Sequence, residues 1–293
     1  VPIALGDMLD VGVWRAFREG RRGQAPRASR LSEVLHRERG MNCSLSIQVA
    51  IPEASRERWP SPAPFTQLRY ELQLRLSDPD TLGVESEYLD LLPQDEPGGH
   101  AARPADPRAR GWVPLIRRPS GSPLLIDSEF RRGRIMRSDL SPDVLALSLI
   151  QDEVLHPAAL FLTKLLRTGA VPFSPDCAEL RKAQPAGPDE AVRPDGRNLA
   201  WHALRLQERD PEALEQWLHI VRLAIPNVWS VSARRIEHLA DLKLTYRYGD
   251  QDAPDHSVTS SGLSDGTLRV LSFTQLQFLE ELPPLLTIEQ PED

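Results

Sequence analysis

Between residues 42 and 91 apolar and polar positions alternate with the two-residue period of β-strands. Leu45, Ile47, Val49 and Ile51 share one face of a first run, and Leu68, Tyr70, Leu72, Leu74 and Leu76 one face of a second. A third run near 84–91, and a pair at 112–117 and 124–127 turned by Pro119-Ser-Gly-Ser122, extend the pattern to an antiparallel meander. The stretch from Pro93 to Pro107 is rich in Pro, Gly and Ala and reads as a loop. Ahead of the strands, Val13, Trp14 and Phe17, then Leu31, Val34 and Leu35, recur at helical spacing, so residues 1–40 read as helical and basic.

Past residue 140 the period changes to that of helices. Ser141 is a candidate cap with Pro142 in the first turn, predicting a helix from Pro142 to about Asp152 and a second from His156 to Arg167. Residues 170–195 are proline-rich and read as irregular. Asp195 or Asn198 caps a helix to Arg209, and Asp210-Pro211-Glu212 opens another whose Leu214, Trp217, Leu218 and Val221 form one apolar stripe. Strands follow at 228–235 and 242–248, the second with Leu242, Leu244, Tyr246 and Tyr248 on one face. From Leu268 to Leu282 apolar positions make a broad buried helix face, which Pro283 and Pro284 end. Leu285, Leu286 and Ile288 then form a short continuous apolar run, the pattern of a strand covered on both sides in a parallel sheet. The chain is α/β, with no repeat or heptad array.

The chemistry concentrates at the end. Ser264 can accept from the free N–H groups of the turn that follows it, and Gly266 removes a side chain from the helix mouth, leaving N–H groups open to an anion. Glu289 stands at the carboxyl end of the last strand, where ligands bind in open α/β sheets. A phosphate-seeking helix mouth and a metal-seeking carboxylate suit a magnesium nucleotide. The histidines show no metal-ligand spacing with acids or cysteines, and no nucleophile elbow or Ser/His/Asp pattern stands out.

Leu263-Ser-Asp-Gly266 opening a helix, followed by an apolar strand ending Glu289-Gln-Pro-Glu292, resembles the signature motif and Walker B strand of ABC-type ATPase heads. The similarity is to the compact proteins of the RecF, SMC and OLD kind; Asp195-Gly-Arg-Asn-Leu-Ala200 and Ile225-Pro226 fall in the matching order over roughly residues 190–293. The resemblance implies a P-loop NTPase fold with an antiparallel β-meander lobe (1–140), a helical insertion (141–227) and a strand–helix–strand end (228–293). It implies ATP and Mg²⁺ as ligands and a homodimer formed through ATP, with a DNA-related role and an attached nuclease domain or subunit among its associations. Ser264, Asp265, Gly266 and Arg269 would then contact the partner's nucleotide, and Glu289 would hold the metal. At the next position Gln290 replaces the family's water-activating glutamate; an amide can orient water but cannot take its proton. Slow hydrolysis is therefore expected, or activation by Glu292. No Gly-x-x-x-x-Gly-Lys-[Ser/Thr] occurs in the 293 residues, so the chain reads as a head incomplete at both ends and inactive alone.

Composition narrows the rest. The length allows one large or two modest domains, and no apolar run approaches the ~20 residues of a membrane helix. Cys43 and Cys177 are solitary, which argues against a disulfide framework or zinc site and for the cytoplasm. The net charge of −7 hides a split: residues 103–137 carry nine arginines against three acids, and residues 250–293 nine acids against one arginine. An arginine-rich stretch can neutralise nucleic-acid phosphates, so the alternative function is a non-catalytic nucleic-acid-binding or scaffold protein with the shape of an ATPase head.

Overall fold

The computed structural model describes residues 1–19, 27–35, 40–56, 65–78, 81–94, 103–129, 134–137, 139–185, 192–247, 255–279 and 281–288. The chain forms two compact units, Val1–Ala170 and Val171–Asp293. Among the described residues no helix is long and apolar enough to cross a membrane.

The first unit is built on a six-stranded antiparallel meander. Two short helices, α1 (Pro2–Val11) and α2 (Val13–Arg18), precede β1 (Asn42–Ala50), a single turn α3 (Glu53–Arg56), β2 (Phe65–Asp78), β3 (Thr81–Pro93), β4 (Val113–Arg118), β5 (Leu124–Asp127) and β6 (Arg134–Arg137). Strands neighbour one another in chain order from β1 to β6. The alternation that predicts the strands also selects the core: Leu68, Tyr70, Leu72 and Leu74 are buried with Leu89, Leu91, Ile116 and Ile126. β6 is an element the pattern did not reveal, because Ile135 and Met136 are both exposed on it.

Of two expectations about helices here, the first holds in interrupted form and the second fails. Residues 1–40 hold only α1, α2 and one 3₁₀ turn at Leu31–Val34 among the described residues. Gly12 separates α1 from α2 at φ 90°, and a Cβ there would meet the Asp143 carboxylate at 2.6 Å. Asp143 accepts from the Trp14 N–H at 2.7 Å and, through its carbonyl, from the Val13 N–H at 3.0 Å. The helix expected from Pro142 to Asp152 shrinks to a 3₁₀ turn, Ala146–Leu149. Side chains of the sheet take its backbone groups. Glu87, fully buried, accepts from the Ala146 and Leu147 N–H groups at 2.6 and 2.9 Å. Arg118 donates to the carbonyls of Leu140, Ser141 and Val144 at 2.7–3.2 Å. Ser141 accepts from the Asp143 N–H within this turn and caps no helix. The second expected helix, His156 to Arg167, is found as α4 (Pro157–Lys164) continued by a π-helical turn at Leu165–Gly169.

The second unit opens on β7 (Ala170–Pro172), α5 (Cys177–Leu180) and β8 (Gln184–Pro185), short elements inside the stretch read as irregular. Then come α6 (Leu199–Arg209), α7 (Pro211–Ala224), β9 (Val228–Ile236), β10 (Leu239–Tyr246), β11 (His256–Thr259), α8 (Asp265–Thr274) and β12 (Leu285–Thr287). β10 pairs antiparallel with β9 on one side and with β11 and β8 on the other, and β12 pairs with β7. The expected stripe of α7 is found: Trp217, Leu218 and Val221 are buried against Ala203, Leu244 and Leu268. Asp210 caps α7 by accepting from the Ala213 N–H. Asn198 stands at the N-cap position of α6, as expected, but makes no side-chain cap bond; Gln184 reaches from β8 to accept from the Ala200 N–H at 3.2 Å. Tyr248 lies outside the described residues. Mixed α/β architecture with an antiparallel sheet is what the fold shows.

Candidate functional site

The candidate site is the mouth of α8, where the residues behave locally as the sequence dictates. Ser264 is extended (φ −70°, ψ 158°), and its Oγ accepts from the Thr267 N–H at 3.2 Å. The Ser264 carbonyl accepts from the Leu268 N–H at 3.0 Å. The N–H groups of Asp265 and Gly266 meet no acceptor among the described residues, as expected of a first helical turn. A Cβ built on Gly266 meets nothing within 4 Å, and the residue's φ is not positive. Neither packing nor backbone strain demands this glycine; its effect is open approach. Ser264, Asp265 and Gly266 are exposed, and Leu268 and Leu271 seat the helix in the core.

Three groups remote in sequence hold the mouth in place. Arg181, just after α5, ion-pairs with the Asp265 carboxylate and donates through Nε to the Leu263 carbonyl at 3.2 Å. The Cys177 thiol donates to the Asp265 carbonyl at 3.7 Å. Below them the buried Ser260 hydroxyl sits 2.8 Å from Asp241 on β10 and 3.1 Å from the Arg181 carbonyl. Sequence reasoning missed Arg181, Cys177, Asp241 and Ser260 as parts of this constellation. No periodic signal links them, because Arg181 and Asp265 are 84 residues apart. Arg181 matters most chemically, since it brings a guanidinium to an N–H-rich helix mouth. Arg269, one turn along, is half-buried and forms no ion pair with another described residue.

Behind the mouth, the turn at Asp195-Gly196-Arg197 packs on the middle of α8. Gly196 adopts φ 73°, and its would-be Cβ lies 3.6 Å from the Ser272 hydroxyl and 3.7 Å from Leu180. The helix is shorter than its apolar pattern. It ends at Thr274, whose hydroxyl turns back to the Val270 carbonyl at 2.6 Å and accepts from the Trp217 indole N–H at 2.8 Å. A 3₁₀ turn follows at Gln275–Phe278, and Leu282, read as part of the buried face, is 54% exposed.

The second half of the candidate site is only partly visible. β12 forms where the apolar run predicts a strand, but Leu285 and Leu286 are half-buried and Ile288 is exposed. A strand covered on both faces is therefore not observed among the described residues. β12 has one neighbour, β7, joined by the Phe173 N–H donating to the Thr287 carbonyl at 2.8 Å. Glu289, Gln290 and Glu292 lie outside the described residues. Phe173 contacts Phe273 edge to face, with centroids 5.7 Å apart, which places the end of β12 beside the last turn of α8. At 1.5 Å rise per residue, the nine residues from Ser264 to Phe273 set the mouth about 14 Å along the helix from that point.

A cleft of about 350 Å³ opens elsewhere in this unit, among His202, Leu206, Arg209, Ala213, Gln277 and Phe278, and includes none of the mouth residues. His202 in its wall is held neutral: burial, then the nearby Arg205 charge, lower its pKa to about 4. No three His, Cys, Asp or Glu side chains gather as a metal site among the described residues. In the first unit at least three of the nine arginines of residues 103–137 make internal contacts, and Arg108, Arg110 and Arg137 are exposed. Arg103 grips Asp90 through two hydrogen bonds, Arg117 pairs with Asp127, and Arg118 is buried. Arg131 and Arg132 lie outside the described residues. Comparison of the chain with protein-family models, curated proteins and solved structures finds no match in any of the three.

Proposed function

We propose that this chain supplies the signature helix and Walker B strand of an ABC-type ATPase head of the RecF, SMC and OLD kind, with a P-loop NTPase fold, acting on MgATP as a homodimer. The observation that carries the reading is the mouth of α8: a Ser264 cap, an unobstructed Gly266, two open N–H groups and the Arg181 guanidinium anchored beside them. N–H groups at a helix start and a fixed cation together select a phosphate. The distance between the mouth and the end of β12 supports a division of labour. Ser264, Gly266 and Arg269 serve a nucleotide held by the partner, with Asp265 orienting Arg181, and Glu289 serves the metal in its own chain. Mg²⁺ would supply charge neutralisation at the phosphates, while the residues of this chain bind and orient.

Gln290 is read as the reason for slow turnover, with Glu292 as the remaining carboxylate near the attacking water. A role on DNA, alone or beside a nuclease, goes with the same reading. The nucleic-acid scaffold alternative draws less support, because Arg103 and Arg117 pair with carboxylates of the sheet and Arg118 donates to the Val144 carbonyl. Titration calorimetry on the 293-residue chain tests the reading directly. The chain lacks the loop that wraps the β-phosphate, so no MgATP binding is expected in the micromolar range. Micromolar binding would contradict the assignment.

A further inference from the structure

β1 is an edge strand without the usual protection. Its nine residues, Asn42–Ala50, include no charge and no proline, the common devices that blunt a sheet edge. The hydrogen bonds at its two ends fix which backbone groups face outward. The Leu76 N–H donates to the Met41 carbonyl and the Ile51 N–H to the Thr66 carbonyl, each at 2.8 Å. The register between them is unbroken from Asn42↔Arg75 to Ala50↔Gln67. Odd-numbered residues therefore exchange hydrogen bonds with β2. The N–H and C=O groups of Asn42, Ser44, Ser46, Gln48 and Ala50 point to the open edge, where no described residue bonds them.

We propose that a second copy of this chain pairs antiparallel along β1, about a two-fold axis through Ser46, joining two six-stranded sheets into one. Several features of the strand select this partner and register. A two-fold axis between identical antiparallel strands passes through a residue paired with its own copy, either an outward-facing even-numbered residue in a hydrogen-bonded pair or an odd-numbered one in a non-hydrogen-bonded pair. Ser46 is the middle of the strand, so an axis there pairs all nine residues, whereas one at Leu45 or Ile47 would pair seven and one at Ser44 only Asn42 to Ser46. In the Ser46 register the side chains match by chemistry. Leu45 faces the partner's Ile47 and Cys43 faces the partner's Val49, in the close non-hydrogen-bonded positions. Ser44 faces the partner's Gln48, and Ser46 faces its own copy. Cys43, Leu45, Ile47 and Val49 are only half-buried against the core, so pairing covers apolar surface left open in one copy. With no charge on the strand, self-pairing brings no like charges together. The contact is independent of the proposed nucleotide function and forms without nucleotide.

Light scattering coupled to size exclusion, in nucleotide-free buffer, should give twice the chain mass of 32.9 kDa. Ser46 is exposed and its N–H faces outward, so Ser46→Lys leaves the β1–β2 ladder intact while setting two ammonium groups against each other at the axis. This variant should run at 32.9 kDa with an unchanged circular-dichroism spectrum. The register has its own test. Val49→Cys should form a disulfide-linked dimer with Cys43 of the other copy on mild oxidation, while Ile47→Cys, which faces the partner's Leu45, should not. A monomeric wild type at the highest soluble concentration overturns the proposal, as does an unchanged dimer in Ser46→Lys or equal cross-linking by both cysteine variants.

Discussion

Replacing Glu87 by glutamine and by alanine measures what holds the 140–147 segment on the sheet of the first unit. Glu87 is fully buried and accepts three hydrogen bonds: from the Ala146 and Leu147 N–H groups and, at 2.9 Å, from the Tyr70 hydroxyl. Its nearest approach to Arg118 is 3.8 Å, long for a hydrogen-bonded ion pair. Burial raises the Glu87 carboxyl above its ordinary range, against the opposing pull of those donors and of Arg118. Glutamine avoids the desolvated charge and keeps one acceptor oxygen, so its cost reduces to about one hydrogen bond to a charged group, ~1.5–2 kcal/mol. Alanine orphans two buried N–H groups at ~1–3 kcal/mol each and leaves a cavity, for ~4 kcal/mol or more. That is a large part of the ~5–15 kcal/mol that holds a typical domain together. Urea unfolding followed by far-ultraviolet circular dichroism reads the midpoint shift of the transition belonging to the first unit. Arg118→Met combined with Glu87→Gln should show weak coupling, below ~1 kcal/mol, because the N–H bonds dominate. The reasoning fails if alanine costs less than ~1 kcal/mol or no more than glutamine.

Two further outcomes follow from titrating and catalytic positions. Burial pushes Glu129 up to about 7, although its carboxylate accepts from the Ala158 and Ala159 N–H groups at 2.8 and 2.9 Å. The folded first unit thus holds a proton the unfolded chain releases near 4.5, so its stability falls as pH rises from about 4.5 to 7 and levels beyond. His202, lowered to about 4, has the opposite sign: the stability it contributes is complete above its ordinary 6.5 and is lost as pH falls toward 4. Urea midpoints across pH 4–8 should move in opposite directions for the two units. Glu129→Gln should flatten the first trend; an unchanged slope in that variant would refute the assignment. For catalysis, Gln290→Glu in the full-length protein should speed single-turnover hydrolysis at saturating MgATP by ~10²–10⁴-fold. Equal rates would shift water activation to Glu292 or another group.

Much of the fold is legible in the sequence where one rule acts alone. The strands of the first sheet and the stripe of α7 follow from alternation and helical spacing, because each has one buried face. Legibility fails where side chains far away take over backbone groups. Glu87 and Arg118 bond the N–H and C=O groups that a helix at 142–152 would need, and at the start of α6 Gln184, not the N-cap residue Asn198, accepts from a first-turn N–H. The end of α8 is set likewise, by Thr274 turning back to Val270 while Trp217 donates to it. Of the candidate site, the Ser264 cap and open Gly266 were readable from local chemistry. Arg181 was not, since its place beside Asp265 depends on how α5 packs against α8.

The most direct test of the proposed function is the mass of the full-length protein with and without MgATP, in a Ser46→Lys background that removes the β1 contact, with Ser264 kept and with Ser264→Arg. Ser264 is exposed at the helix mouth, so a long cation there blocks access to the N–H groups of Asp265 and Gly266 while the buried face of α8 keeps its packing. On the proposed reading, nucleotide held by a P-loop of the same polypeptide would be untouched by this change. Light scattering should show a rise from one chain mass to two on adding MgATP to the Ser46→Lys protein that keeps Ser264. In Ser264→Arg that rise should be absent while single-chain ATP binding persists. A MgATP-dependent rise of equal size in the variant would contradict the role assigned to this helix.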